Sequence, residues 1–151
     1  MTRRELLLAS LTLPFTFLGC TAKHQADEQP QNADLFIESD GDFLAYKPDT
    51  LTIRTGTMVR LTFHHAGQYL SARHNWVLVY PNQMEAVDKD VEKKEGIVTT
   101  DDPRVIAVVP MCDKGQTMTT YFTAPAPGEY PFFCSTPGHA VDMNGILRVT
   151  A

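Results

Sequence analysis

The chain has 151 residues, of which 43% are hydrophobic, 9% aromatic and 21% charged. This composition is typical of a globular protein with one hydrophobic core, and the length is too short for two sizeable domains. The formal net charge is −5 at pH 7 with histidine neutral, which argues against nucleic acid as a partner.

The first twenty residues, MTRRELLLASLTLPFTFLGC, run from a basic start through an apolar stretch to a small residue and a cysteine. This is the pattern of an export signal. The apolar stretch, residues 6–18, is too short to cross a hydrocarbon layer of about 30 Å comfortably. We therefore expect a cleaved signal peptide over residues 1–19, and its Arg3-Arg4 pair is similar to a twin-arginine signal.

Residues 20–33 are predicted to be a lipid-anchored tether. FLGC resembles a lipoprotein box in which Cys20 carries the lipid, and the following TAKHQADEQPQNA has no large apolar residue, as expected of a flexible segment. A general secretory signal with an incidental cysteine is the alternative. Both interpretations place the protein outside the cytoplasm, on the periplasmic or cell-surface side of the membrane. Loss of the signal removes two basic and one acidic side chain and takes the net charge to about −6.

Residues 34–151 are predicted to form the folded domain. Short β-branched or aromatic runs recur along it, separated by turn formers such as Asp40-Gly41 and Pro127-Gly128. The runs are LFIES, LTIRT, MVRLTF, NWVLVY, RVIAVV, TMTTYFTA, EYPFFC and GILRV. About eight strands at this spacing predict an all-β fold, a Greek-key antiparallel β-sandwich or barrel.

One segment, NQMEAVDKDVEKKEG, has helical periodicity instead. Its apolar positions fall on one helical face: Met84, Val87 and Val91. Asn82 stands three residues before Glu85, which predicts a capped helix start, and Gly96 predicts its end. We expect one short amphipathic helix whose charged residues, 88–95, form its solvated face.

The segment CSTPGHAVDM, residues 134–143, places Cys134, His139 and Met143 within ten residues. It lies between the last two predicted strands, so all three side chains should share one end of the sandwich. A metal ion needs lone-pair donors that converge on a point, and a short loop between paired strands can supply three of them. A fourth donor should come from elsewhere in the chain.

Among the remaining histidines, His64 and His65 end one predicted strand and His74 opens the next. Two imidazoles, a thiolate and a thioether favour copper, because a His2Cys plane with a weak axial methionine is the blue-copper arrangement. We expect His64 and His65 to be structural. Two alternatives stay open: a zinc site, although zinc seldom uses methionine, and a disulfide between Cys112 and Cys134.

The Cys-x4-His-x3-Met spacing, together with HNWVL, FHHAG, DDPRVIA, YPFFC and PGH, resembles the cupredoxins of the azurin and auracyanin type. The resemblance covers most of residues 35–151. It implies a cupredoxin-like fold around one copper ion that cycles between Cu(I) and Cu(II). His74, Cys134 and His139 would be the trigonal ligands and Met143 the long axial one.

The resemblance also implies roles around the ion. The Arg73 carbonyl would be a weak distant contact, at a position where azurins usually have glycine. Asn75 would join the His74 strand to the Cys134 loop, and backbone amides near Asn75 and Thr136 would donate to the sulfur, which fixes ligand geometry and tunes potential.

By the same resemblance, the protein is expected to be an electron carrier and not an enzyme. Copper enzymes that act on oxygen or nitrite connect a second metal site through histidine beside the cysteine, and here Phe133 and Ser135 occupy those places. The electron's exit is expected at His139. We expect the protein to be a membrane-anchored monomer. Its expected partners are a quinol-oxidising complex and a cytochrome, oxidase, reductase or reaction centre. A copper chaperone or storage protein, and a domain without metal, remain alternatives.

Overall fold

The computed structural model describes residues 31–69 and 72–151. The predicted signal peptide, Cys20 and the tether as far as residue 30 lie outside these ranges. The described elements are β1 (Asn32–Ser39), β2 (Tyr46–Lys47), β3 (Thr50–Arg54), β4 (Met58–His64), β5 (His74–Val79), α1 (Met84–Glu92), β6 (Val105–Cys112), β7 (Thr117–Thr123), β8 (Gly128–Phe133) and β9 (Asn144–Thr150). Strand β1 therefore takes in the last two residues of the segment interpreted as tether.

The described strands form two sheets, one in the order β2-β1-β4-β7 and the other in the order β3-β9-β8-β5-β6. This confirms the predicted all-β sandwich, and each of the eight predicted runs contributes a strand. The described chain adds a ninth strand, β2. Most neighbouring strands are antiparallel as expected, but β1 pairs with β4 and β3 with β9 in parallel.

The core lies between the two sheets. Inward-facing residues alternate with outward ones along β4, where Val59, Leu61 and Phe63 are fully buried. The Trp76 ring packs against Phe132 with ring centroids 5.6 Å apart. This close packing of large side chains makes the sandwich a rigid support.

Strand β5 is buried along its whole length, because its two faces are covered by different elements. One face meets the core between the sheets, and the other meets helix α1, whose Val87 and Val91 belong to one cluster with Val77 and Val79. A strand covered on both faces is expected to carry a continuous apolar run, which fits WVLV at residues 76–79. The start of this strand is therefore held firmly.

The helix differs from its prediction at its first turn. Asn82 has a positive φ of 63°, and the residue before the helix is Gln83, which makes no side-chain capping bond. The predicted cap at Asn82 is therefore wrong. After the helix ends at Glu92, Gly96 has φ +79° and donates its N–H to the Val91 carbonyl, as glycine does after many helices. Within the described residues, no helix combines the length and apolar character needed to cross a membrane.

Candidate metal centre

Strand pairing brings the predicted donors to one end of the five-stranded sheet. His74 is the first residue of β5, and Cys134 directly follows β8, which is paired with β5. His139 and Met143 lie in the loop from Cys134 to β9. Residues sixty positions apart in sequence therefore meet because neighbouring strands place them side by side.

His74, Cys134 and His139 form a compact triangle of donor atoms. The two Nδ1 atoms are 3.2 Å apart, and the Cys134 Sγ lies 3.7 Å from the Nδ1 of His74 and 3.8 Å from that of His139. The point equidistant from three atoms with these separations lies about 2.1 Å from each, within reach of metal–nitrogen bonds of about 2.0–2.1 Å and metal–sulfur bonds of about 2.3 Å. The donor set thus fits a single metal ion with soft-ligand preference.

Met143 is fully buried, and its backbone is fixed to the other donors. Its N–H donates to the His139 carbonyl over 2.7 Å, and its own carbonyl accepts the Cys134 N–H over 3.0 Å. The methionine is therefore held in the same small loop as the cysteine and the histidine.

The loop itself is shaped by tight turns. His139 N–H donates to the Thr136 carbonyl over 2.9 Å, with Pro137 and Gly138 between them and Gly138 at φ +81°. Proline followed by a glycine with positive φ is the signature of a type II turn. The PGH sequence thus turns the chain so that the His139 ring reaches the Cys134 sulfur.

Asn75 and Ser135 connect the two strands that carry His74 and Cys134. The Asn75 side chain donates to the Ser135 hydroxyl and accepts the Ser135 backbone N–H, each over 2.8 Å, and both residues are buried. The Ser135 hydroxyl donates in turn to the Gly96 carbonyl. A Cβ at residue 96 would overlap the Ser135 carbonyl oxygen, so only glycine lets this segment approach the loop.

The Arg73 carbonyl is engaged by the loop as well. It accepts a hydrogen bond from the Thr136 hydroxyl over 2.7 Å, and the same hydroxyl lies 3.5 Å from the Met111 sulfur. Thr136 therefore links the residue before His74 to the residues after Cys134.

Burial dominates the acid–base properties of the donors. It raises the pKa of the Cys134 thiol. Hydrogen bonds from the Thr136 hydroxyl and from the backbone amides of Asn75 and Thr136 lower that pKa, but by less. Burial, then the nearby His65 and His139, lowers the pKa of His74 to about 4, and burial lowers the pKa of His139. Both imidazoles are therefore neutral at pH 7 and have a free lone pair for a metal.

His65 packs against His74, with ring centroids 4.4 Å apart. Its Nε2 lies 2.9 Å from the Ala72 carbonyl, and its Nδ1 lies 3.1 Å from the Gly67 backbone nitrogen, which donates to it. A neutral ring with its proton on Nε2 satisfies both contacts. His65 thus supports the chain that leads into His74.

Cys112 lies opposite His74 on β6. It is buried and free, as is Cys134, so the disulfide alternative is not formed. Its thiol donates to the Pro110 carbonyl over 3.4 Å, and burial, followed by the Asp113 charge, raises its pKa to about 11. A thiol with so high a pKa is weakly reactive.

Two further residues near the site carried no recognisable sequence signal. The Tyr46 hydroxyl donates to the Asn75 carbonyl, beside the bonds that join Asn75 to Ser135. Asp88 was expected on the solvated face of the helix, but it is only partly exposed, and its Oδ1 is buried and has no hydrogen-bond partner among the described residues. That expectation was wrong for Asp88, because this residue lies next to the apolar stripe of α1.

Comparison with known proteins assigns the family. Residues 33–150 match the model of the copper binding proteins of the plastocyanin/azurin family. The chain is 31% identical to auracyanin-A of Chloroflexus aurantiacus over 118 residues, 75% of this chain and 72% of the relative. It is 29% identical to azurin iso-2 of Methylomonas sp. strain J over 72% of this chain and 92% of the relative.

A solved structure shares the same architecture. The crystal structure of dithionite-reduced auracyanin from Roseiflexus castenholzii superposes with a TM-score of 0.71 at 31% identity, over 80% of this chain and 99% of the other. The fold, the three converging donors and these similarities lead to one assignment. The chain belongs to the plastocyanin/azurin family of copper-binding proteins, the blue copper cupredoxins.

Proposed function

We propose that this protein is an electron carrier with one type 1 copper ion, which His74, Cys134, His139 and Met143 would hold. The observation that carries this proposal is the triangle of Sγ and two Nδ1 atoms, with sides of 3.2–3.8 Å. Copper, when bound, supplies a one-electron change between Cu(II) and Cu(I).

The protein's contribution is to hold these donors in place. His74 is fixed by the fully buried strand β5, and Cys134 by the Met143 carbonyl and by the Asn75–Ser135 bonds next to it. Donors positioned by packed strands need little rearrangement when the charge of the ion changes. The Arg73 carbonyl is proposed as a distant further contact, weakened by the hydrogen bond that it accepts from Thr136.

The proposed exit for the electron is the His139 edge of the site. His139 is partly exposed, while Pro137 and Gly138 before it are exposed and Val141 after it is 80% exposed. An edge with small apolar residues suits the small, short-lived interfaces of redox partners.

We further propose that the carrier is monomeric and shuttles between membrane-associated redox complexes outside the cytoplasm. A quinol-oxidising complex would be the donor, and a cytochrome, oxidase, reductase or photosynthetic reaction centre the acceptor. The support is the export signal predicted in residues 1–19 and the lipid expected on Cys20. A short tether would raise the effective concentration of the carrier near such complexes.

The test is to add Cu(II) to the purified protein and record its visible and EPR spectra. We expect an intense blue band in the wild type, loss of that band in Cys134→Ser, and retention of it in the control Cys112→Ser, because Cys112 lies outside the donor triangle. Cu(II) binding without an intense band would contradict the proposal and favour a copper chaperone or storage protein. Mass spectrometry of the mature amino terminus tests the lipid on Cys20.

A further inference from the structure

The outer face of the four-stranded sheet exposes large apolar side chains. Phe36 on β1, Met58 on β4 and Tyr121 on β7 are 53%, 52% and 67% exposed. Met58 and Tyr121 line one surface hollow together with Asp34 and Arg60, and Phe36 is the next outward residue on β1 after Asp34. Exposed apolar side chains that are grouped on one face are typical of an interaction surface.

The same face carries no net charge among the described residues. Asp34 accepts two hydrogen bonds of 2.8 Å from Arg60, and Glu38 stands opposite Lys47 in the strand register. The remaining outward residues of β1, β4 and β7 are asparagine, threonines and the three apolar residues, with His64 neutral. Because the whole chain has a net charge of −5, an anionic surface repels this face less than the chain as a whole.

The chain enters the sheet at one end of this face. Strand β1 begins at Asn32, and the carbonyl of Gln31 accepts the Met58 N–H over 2.8 Å. Cys20 stands twelve residues before Asn32, a stretch that spans at most about 40 Å when fully extended. A lipid on Cys20 therefore keeps Met58 and the side chains around it close to the membrane surface.

The proposed copper site lies at the opposite end of the strands. Strand β4 runs from Met58 to His64, six residues or about 20 Å, and His65 after it packs against His74. His74 belongs to the five-stranded sheet, and packed sheets lie about 10 Å apart. A bilayer against the outer face of the four-stranded sheet would therefore leave the His139 edge uncovered.

We propose that the outer face of the four-stranded sheet rests on the lipid membrane, with Phe36, Met58 and Tyr121 at the level of the headgroups. This inference rests on the proposed function, because it needs the lipid on Cys20. Tyrosine suits such a position, since its ring is apolar and its hydroxyl is polar. The lipid and the apolar face are two separate membrane contacts. Together they fix which side of the protein meets the bilayer, so that the copper edge faces sideways towards membrane-bound partners.

The test uses the mature, lipidated full chain in nanodiscs of phosphatidylcholine and phosphatidylglycerol that include a lipid with a gadolinium chelate on its headgroup. The copper is kept as Cu(I), which is diamagnetic, and amide signals are recorded by NMR. We expect the signals of residues 36, 58 and 121 to be lost. The signal of Ile97 should be retained, because Ile97 is 63% exposed but lies beside β6 of the other sheet.

Two matched variants separate the face from the tether. Tyr121→Glu places a charge in the apolar face and should restore the signals of residues 36 and 58, whereas Ile97→Glu should leave them lost. If Tyr121→Glu does not fold, Met58→Glu replaces it. Signals that stay lost in the folded variant would mean that the tether alone holds the protein at the bilayer, which would overturn the inference. Loss of the Ile97 signal in the wild type would place another face on the membrane and overturn it as well.

A second copy of the chain is the competing occupant of this face. Sedimentation of the Cys20→Ser chain, which carries no lipid, should show a monomer. A dimer that Tyr121→Glu dissociates would assign the face to a second copy and overturn the inference.

The remaining outcomes separate this inference from the electron-carrier proposal. A mature chain without lipid on Cys20 overturns the membrane contact and leaves the copper site intact. A chain that forms no blue site, but loses the signals of residues 36, 58 and 121 on nanodiscs, contradicts the electron carrier and supports the membrane contact.

Discussion

Replacing Asn75 by alanine should weaken the link between the two strands that carry His74 and Cys134. In the wild type, the Asn75 amide exchanges two hydrogen bonds of 2.8 Å with Ser135, both buried. The mutation removes both bonds and leaves the Ser135 backbone N–H without its acceptor, while the Ser135 hydroxyl still donates to Gly96.

The expected cost follows from these contacts. The bond that Asn75 donates contributes about 1 kcal/mol, and loss of the bond that it accepts costs about 1–3 kcal/mol, because a buried N–H is left without a partner. The free energy of unfolding of the metal-free protein should therefore fall by about 2–4 kcal/mol. For a domain of this size, that corresponds to a decrease in Tm of about 8 °C or more.

Urea unfolding of the metal-free protein, followed by circular dichroism, measures this cost. Ser135→Ala is the companion variant: it removes the hydroxyl with the bond that it accepts from Asn75 and the bond that it donates to the Gly96 carbonyl, so it should cost about as much. A loss below about 1 kcal/mol for Asn75→Ala would refute the reasoning. Copper should raise the stability of the wild type and of each variant that binds it, because an ion bound only by the folded state stabilises that state.

Three other perturbations test separate parts of the site. Gly96→Ala should lower the urea midpoint clearly, because its Cβ would overlap the Ser135 carbonyl oxygen and residue 96 has φ +79°; an unchanged midpoint would contradict this close approach. The pKa of His74 is lowered to about 4, so its contribution to the stability of the metal-free protein is present above about pH 6.5 and is lost as the pH falls towards 4. Between pH 7 and 4.5, the free energy of unfolding measured with urea should fall by about 2 kcal/mol less in His74→Asn than in the wild type. Equal decreases would show that His74 is not buried in its neutral form. Val141→Glu should keep the blue colour but slow electron self-exchange several-fold at low salt, measured by NMR line broadening, because two copies would then meet with like charges near His139; an unchanged rate would place the exit elsewhere.

The parts of the fold that depend on local patterns could be predicted from the sequence. Each strand of five or more residues coincides with a predicted run of β-branched or aromatic residues. The donors were predictable for a similar reason, because Cys134, His139 and Met143 lie within one loop and His74 opens a recognisable strand.

Features that depend on long-range pairing were not predictable. Side-chain alternation tells which face of a strand is buried but not the direction of its neighbour, so the parallel pairs β1–β4 and β3–β9 left no signal. Strand β2 has two residues, too few for any periodicity. The bond from Ser135 to Gly96 joins residues thirty-nine positions apart and could not be read from spacing.

The helix shows what sequence periodicity can and cannot predict. The periodicity located the apolar face through Val87 and Val91, both buried as expected. It did not locate the helix start, because Asn82 adopts a positive φ before the helix and thus cannot act as its cap. It also misplaced Asp88, since a residue at the border of an apolar stripe can turn either way depending on the surface against which the helix packs.

The central claim is that His74, Cys134 and His139 bind one copper ion. The most direct test is a crystal structure of the copper-loaded protein with anomalous data collected on both sides of the copper absorption edge. The account predicts one strong copper peak between the two Nδ1 atoms and the Cys134 Sγ, with bonds of about 2.0–2.3 Å. A copper peak elsewhere on the protein, or none between these three atoms, would contradict it.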